Sequence, residues 1–349
     1  MLITDLIVGG LRAYAPQPIT VDLAPMTLLF GANSAGKSSL LSVLPLLQQT
    51  AVQPEILSMS GDLVEGGTFR MAVHHHDESL PMTLGFSWDG GRVENVYRWD
   101  GARRAAILAQ GQPASSTAAR VLSQVYFLGP MRARAERTTA VGLGGDLYVG
   151  PAGEDMAALL FERPELLAEV NAWCQRLGLG YRIRMLTPIS HDIVISAGDF
   201  TVLALEDIRH DPPVLVSPRA VGYGVGQLLP VITQCCLSDG GTIIVEQPEV
   251  HLHPRLQSAV ADLCIDTVVT GRAQILAETH SEHLVLRVLR RIREGALRPD
   301  LLKVLYVDLH DDGGAFVREL EVDDRGELVD GWPGDFFDER LGEVLPGLA

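Results

Sequence analysis

Residues 31–38 read Gly-Ala-Asn-Ser-Ala-Gly-Lys-Ser, a complete G-x-x-x-x-G-K-[ST] pattern. The apolar run MTLLF at 26–30 precedes it, and SSLLSVLPLLQQ at 38–49 follows with helical character and Pro45 as an expected kink. Strand, Gly-rich turn and helix in that order are the context this pattern needs, and a strand so apolar demands a sheet covered on both faces. Gly31 and Gly36 let the backbone turn so that successive N–H groups, from Ala32, Asn33, Ser34 and Ala35 onward, face a polyphosphate at the positive end of the helix. Lys37 is expected at the β- and γ-phosphates, Ser38 on Mg2+ through its hydroxyl, and Ser39 near the α-phosphate.

The lysine carries extra weight because of the chain's composition. Of 28 basic residues, only Lys37 and Lys303 are lysine; the rest are arginine. A lysine kept in such a background answers a need that arginine does not meet. The formal charge of −16 argues against a general nucleic-acid coat. Most of that charge lies in residues 300–349, where 14 acids face 4 bases and contribute −10, which leaves −6 for the body. A local basic patch therefore stays open.

Two further segments end in polar residues suited to the same chemistry. TIIV at 242–245 reads as a strand ending in Glu246-Gln247-Pro248-Glu249, followed by VHLHP at 250–254. An acid at the tip of a strand beside a phosphate loop can hold the Mg2+ shell, which assigns Glu246 together with Ser38 to the metal. Gln247 stands where a general base is wanted; it can orient water but cannot take a proton, so Glu249 is the nearest carboxylate for that role. QILA at 274–277 is followed by Glu278-Thr279-His280, with Ser281 as an expected helix N-cap and His280 as a γ-phosphate sensor. His251 and His253 read as packing or hydrogen-bonding residues, and His74-His75-His76 as a solvated strand edge.

The remaining organisation is coarse. Residues 61–100 alternate in β-branched and aromatic residues around Asp89-Gly90-Gly91, a hairpin signal in an antiparallel layer. Residues 109–118 read as a flexible loop, 153–178 as helical, and RIRM, DIVIS and VLVS within 181–216 as short strands. After 222 helices and strands alternate, which implies a mostly parallel sheet. The four cysteines, Cys174, Cys235, Cys236 and Cys264, form no C-x-x-C pair and read as buried thiols of a reduced cytoplasmic protein. No apolar run approaches the length of a membrane span, and the N-terminus lacks a basic n-region.

Four stretches together resemble the small bacterial ATPases with an ABC-type head, the AAA-type group related to RecF, SMC and the ATPase part of the OLD nucleases: GANSAGKSS (31–39), VGYGVGQLLP (221–230), VEQPEVHLHP (245–254) and ETHSEHLVLRVLRRI (278–292). FLGPMRARAE (127–136) and the closing GWPGDFFDE (331–339) are similar to segments of one branch of that group. The resemblance implies ATP with Mg2+, and a three-layer α/β ABC-type head with a mixed sheet, an antiparallel side layer and a short inserted helical region. The head would be discontinuous, 1–150 and 217–349, with the insertion at about 151–216. It assigns Gly224, Gly226 and Gln227 to the signature loop, which in that family covers the γ-phosphate of the nucleotide bound by the other subunit. The family's serine is missing there, and with Gln247 this implies slow hydrolysis. Gln48, Gln49 and Gln124 are candidates for the family's glutamine-bearing loop.

The expectation for function is an ATP-gated switch: a homodimer formed around ATP that controls a separate effector, such as a nuclease or toxin, in DNA repair or anti-phage defence. The alternative is a motor acting on DNA through Arg287, Arg290 and Arg291, a stripe at helical spacing, and through the arginines of 89–137. A transporter subunit is the weakest reading, because the Leu-Ser-Gly-Gly-Gln signature is absent.

Overall fold

A computed structural model describes residues 1–133, 138–140, 147–186 and 200–333. The chain opens with β1 (Ile3–Gly9), β2 (Ile19–Asp22) and β3 (Met26–Gly31), then α1 (Lys37–Leu41), α2 (Val43–Thr50) and α3 (Phe69–Ala72). β4 (Met82–Trp88), β5 (Gly91–Asp100) and β6 (Ala105–Gln110) follow, then α4 (Ser116–Leu122) and β7 (Val125–Leu128). The middle holds β8 (Thr138–Ala140), α5 (Met156–Glu162), α6 (Pro164–Arg176), β9 (Tyr181–Leu186), β10 (Phe200–Asp207) and β11 (Val214–Val216). The last part alternates: α7 (Tyr223–Leu237), β12 (Thr242–Glu246), α8 (Pro254–Val269), β13 (Gln274–Glu278), α9 (Glu282–Arg293), β14 (Leu302–Leu309) and β15 (Ala315–Leu320).

The central sheet has the order β15-β14-β3-β13-β12-β7, parallel except for the antiparallel edge pair β14–β15. Every residue of β3 is buried, as its apolar run required. Its side chains alternate between two cores. Met26, Leu28 and Phe30 pack with apolar residues of α7, α8 and α9, while Leu29 joins α1, α2 and the antiparallel sheet β2-β1-β4-β5-β6. The result is a three-layer α/β head with a mixed sheet and an antiparallel side layer.

Between β7 and α7 the chain forms α5, α6 and a small antiparallel sheet in which β10 pairs with β8, β9 and β11. Residues 153–178, read as helical, hold α5 and α6, and RIRM and VLVS, read as short strands, fall at β9 and β11. The strand expected at DIVIS (192–196) lies outside the described residues, as do Arg134, Arg137 and 334–349. Trp332, just before the latter stretch, sets its ring edge-on to Phe30 with centroids 6.2 Å apart.

Several local readings change. The break expected at Pro45 falls at Ser42, between α1 and α2. Pro45 occupies the first turn of α2, where the missing N–H costs nothing. Residues 69–76 are not a strand edge. Thr68 accepts from Met71 N and starts α3, and a 3-10 turn follows at His74–His76. His74 is buried, with Nδ1 2.8 Å from the Arg12 carbonyl. The flexible loop at 109–118 shrinks to 111–115, because Ser115 caps α4 by accepting from Ala118 N. All four cysteines are free and buried, and burial pushes their thiols up, Cys174 and Cys235 to about 12. Among the described residues no helix is long and apolar enough to cross a membrane.

Candidate functional site

The site forms at the C-terminal ends of β3, β13 and β12. β3 runs into the phosphate loop through Gly31, whose φ of 139° lies in the region that side chains avoid. A Cβ there would meet the Val307 carbonyl oxygen of β14 at 2.0 Å, so the close approach of β14 also requires glycine. Tyr14 fixes the far end of the loop by donating its hydroxyl to the Gly36 carbonyl at 3.2 Å. Lys37 is buried, and its Nζ donates to the carbonyls of Gly31 (3.1 Å) and Ala32 (2.6 Å) across the loop. Burial lowers its pKa, opposed by the charges of Glu278 and Asp308. Asn33, Ser34, Gly36, Lys37, Ser38 and Ser39 line an open cleft of about 490 Å³ together with Arg12, Gln247, Glu278 and His280.

The acidic strand tips converge beside it. Glu246 and Glu278 are partners in the parallel register of β12 and β13. Ser38 donates its hydroxyl to Glu278 Oε2 at 2.7 Å. Glu246 is 8% exposed and reaches an adjoining cleft that Ser38 and Arg12 also line. Burial, reinforced by the charge of Glu278, pushes its carboxyl up to about 8 against the opposing arginines Arg12 and Arg132. Glu278 was absent from the site expected from sequence, where Glu246 alone was paired with Ser38; the signal was a second strand ending in an acid. A hydroxyl and two carboxylates are an all-oxygen donor set that suits a hard cation such as Mg2+.

The other acidic-strand residues separate. Gln247 lines the cleft at a φ of 47°, its N–H donating to the Glu278 carbonyl at 2.8 Å. His280 also lines the cleft, with Nε2 3.8 Å from Glu278 Oε1. Glu249 is the carboxylate expected from sequence as the nearest base. It is buried away from the cleft lining, and its Oε1 accepts the His280 N–H at 2.7 Å. That contact braces the histidine segment. His253 caps α8, its Nδ1 accepting from Arg255 N, and His251 packs edge-on to Tyr223 at 4.8 Å. Among the described residues no cluster of three or more His, Cys, Asp or Glu is arranged to hold a metal.

The Gly-rich segment begins α7. A Cβ at Gly224 would lie 2.4 Å from the His251 carbonyl oxygen, so α7 packs directly on the loop after β12. Gln227 is 1% exposed, and its amide is taken up by the main chain of Arg132. Its side chain thus faces inward in the single chain. Arg132, 2% exposed, donates to the carbonyls of Gln227 (2.7 Å), Gly129 (2.8 Å), Glu246 (3.0 Å) and Gln247 (2.9 Å). Burial lowers its pKa to about 10, opposed by Glu249 and Glu246. Sequence reasoning had placed Arg132 among possible DNA contacts; nothing local marks an arginine as buried.

The glutamine-loop candidates lie off the cleft. The Gln124 carbonyl accepts from Thr242 N at the opposite end of β12, and Gln49 holds the 58–64 segment through Ser58 and Val64. Gln48 is also not among the residues lining the phosphate cleft. The arginine stripe of α9 is paired: Arg287 and Arg291 reach Asp262 at 2.9 and 2.7 Å, and Arg290 reaches Glu294 at 2.6 Å.

Comparison with known proteins agrees with this fold. The sequence profile of an AAA ATPase domain matches residues 216–285, the stretch that carries Gly224–Gln227, Glu246–Glu249 and Glu278–His280. The fold is similar to an SMC head solved bound to the C-terminal winged-helix domain of ScpA, with 16% identity, a TM-score of 0.58, and 93% of this chain and 98% of that one covered. It is also similar to the SMC head with an extended coiled coil bound to the C-terminal domain of ScpA, derived from Pyrococcus furiosus, with 13% identity, a TM-score of 0.51, and 92% and 96% covered. No curated protein matches the chain by sequence.

Proposed function

We propose that this chain, an AAA-type ATPase with an SMC-like head fold, is an ATP-gated switch that dimerises around ATP, hydrolyses it slowly and controls a partner protein. The observation that carries the reading is the convergence of Lys37, Ser38, Gln247, Glu278 and His280 on one cleft at the ends of parallel strands. Lys37 exchanges the Gly31 and Ala32 carbonyls for the β- and γ-phosphates, and residues 32–39 cradle the chain of phosphates. Ser38 and Glu246 would hold Mg2+, which when bound would neutralise charge on the phosphate oxygens. Gln247 orients water without accepting its proton, and this sets a low rate.

The place of Gly224 and Gly226 supports the dimer reading. Neither lines its own cleft, and the Cβ position of Gly226 is open. The N-terminal turn of α7 is thus available to a nucleotide held by a second copy. The solved SMC heads carry a bound ScpA domain; for this chain a separate effector, such as a nuclease or toxin acting in DNA repair or defence, would occupy the corresponding role, in the cytoplasm. The motor reading is weaker, because the α9 arginines already pair with Asp262 and Glu294. Sedimentation velocity of the full chain with a non-hydrolysable ATP analogue tests the switch. A dimer is expected with analogue and Mg2+, and a monomer for Lys37→Ala. The same mass for both proteins, with and without analogue, removes the proposal.

A further inference from the structure

Ser38 sends its hydroxyl proton to Glu278 across 240 positions of sequence. Glu246, the acid that the phosphate-loop pattern pairs with that serine, makes no side-chain hydrogen bond among the described residues, although it is 8% exposed and lines the cleft next to Ser38. The sheet order explains the difference. β13 lies between β3 and β12, so the strand adjoining the phosphate loop delivers Glu278, and Glu246 stands in register one strand further out. A serine oxygen that serves a hard cation with a lone pair must direct its proton elsewhere, and an ionised carboxylate accepts such a proton in a short, charge-assisted bond. The other oxygen of Glu278 lies 3.8 Å from His280 Nε2, so one carboxylate spans the space between the loop serine and the histidine at the next strand end.

We propose that Glu278 is the residue that aims Ser38 at the divalent cation and, together with Glu246, fixes the cation's position from two adjacent strands. The proposal rests on the nucleotide-binding reading above. Glu278 acts here as a positioning residue for the serine, in the manner of the outer partners that orient metal ligands elsewhere.

Mn2+ in place of Mg2+ gives a readout that does not depend on turnover. Free Mn2+ is titrated by electron paramagnetic resonance in the presence of the full chain and a non-hydrolysable ATP analogue. Nucleotide binding in EDTA serves as the metal-free control. Glu278→Gln is expected to weaken Mn2+ binding about 10- to 100-fold, and the EDTA titration reads its direct effect on nucleotide binding separately. Ser38→Ala combined with Glu278→Gln is expected to lose less than the product of the two single effects, because both act through one hydrogen bond. Wild-type Mn2+ affinity in Glu278→Gln, or full multiplicativity with Ser38→Ala, overturns the proposal. If Glu278→Gln does not fold, Glu278→Asp decides. Its retracted carboxylate is expected to lower Mn2+ affinity alone, and wild-type affinity overturns the proposal. A wild-type chain that binds no nucleotide in EDTA or with Mn2+ brings down the nucleotide reading itself, an outcome distinct from the loss of Glu278's role.

Discussion

Arg132 and Gln227 are bonded in both directions: the Arg132 N–H donates to Gln227 Oε1 at 3.0 Å, and Gln227 Nε2 donates to the Arg132 carbonyl. The guanidinium then adds the carbonyls of Gln227, Glu246 and Gln247. The first turns of α7 and the tip of β12 are thereby joined through one side chain that, among the described residues, has no carboxylate within ion-pair distance.

Removing that side chain leaves several buried carbonyls without donors. Arg132→Met should cost roughly 3 kcal/mol of stability, read as a lower midpoint in urea denaturation. Gln227→Ala should couple to it, so that the double variant loses less than the sum of the singles. Additive losses would mean that the two residues act separately.

The carboxyl of Glu246 sits at about 8 in the folded chain, above its ordinary value of 4.5. A raised acid binds its proton more tightly when folded, so stability is greatest below the unfolded value and declines as pH rises from about 4.5 through 8. Glu246→Gln should flatten that decline and stabilise the nucleotide-free chain above pH 8 by on the order of 2–4 kcal/mol. Melting temperature measured against pH checks it; parallel curves for the two proteins would contradict the assignment.

Gln247 lines the cleft but cannot act as a base. Gln247→Glu places a carboxylate there, and phosphate release should rise about 100-fold, the lower end of general-base contributions. An unchanged rate would locate the limiting step outside proton transfer.

The phosphate loop was legible because its chemistry is local: eight consecutive residues and their flanking periodicity specify it. The strands β3, β12, β13 and β14 were legible for a similar reason, since strands buried on both faces write themselves as short apolar runs. The Ser38–Glu278 contact was not, because it depends on which strand stands next to β3, and strand order is a property of the closed sheet. The burial of Arg132 and Gln227 was not legible because residues of their types are ordinarily exposed, and only the hydrogen-bond partners gathered by tertiary structure make it tolerable. His74 was misread because a cap at Thr68 outweighed the local alternation.

The position of β13 has a consequence for how the chain matures. It enters the sheet between β3 and β12, with both edges paired, and brings Glu278 and His280 with it. A growing chain therefore completes the first segment of its site early and the last of it only when this late strand is seated, a long-range closure of the kind that slows folding. A ligand that needs all three segments binds finished molecules alone and draws the population toward them by mass action. ATP would then be fuel for the mature protein and also a selector of molecules that have finished folding.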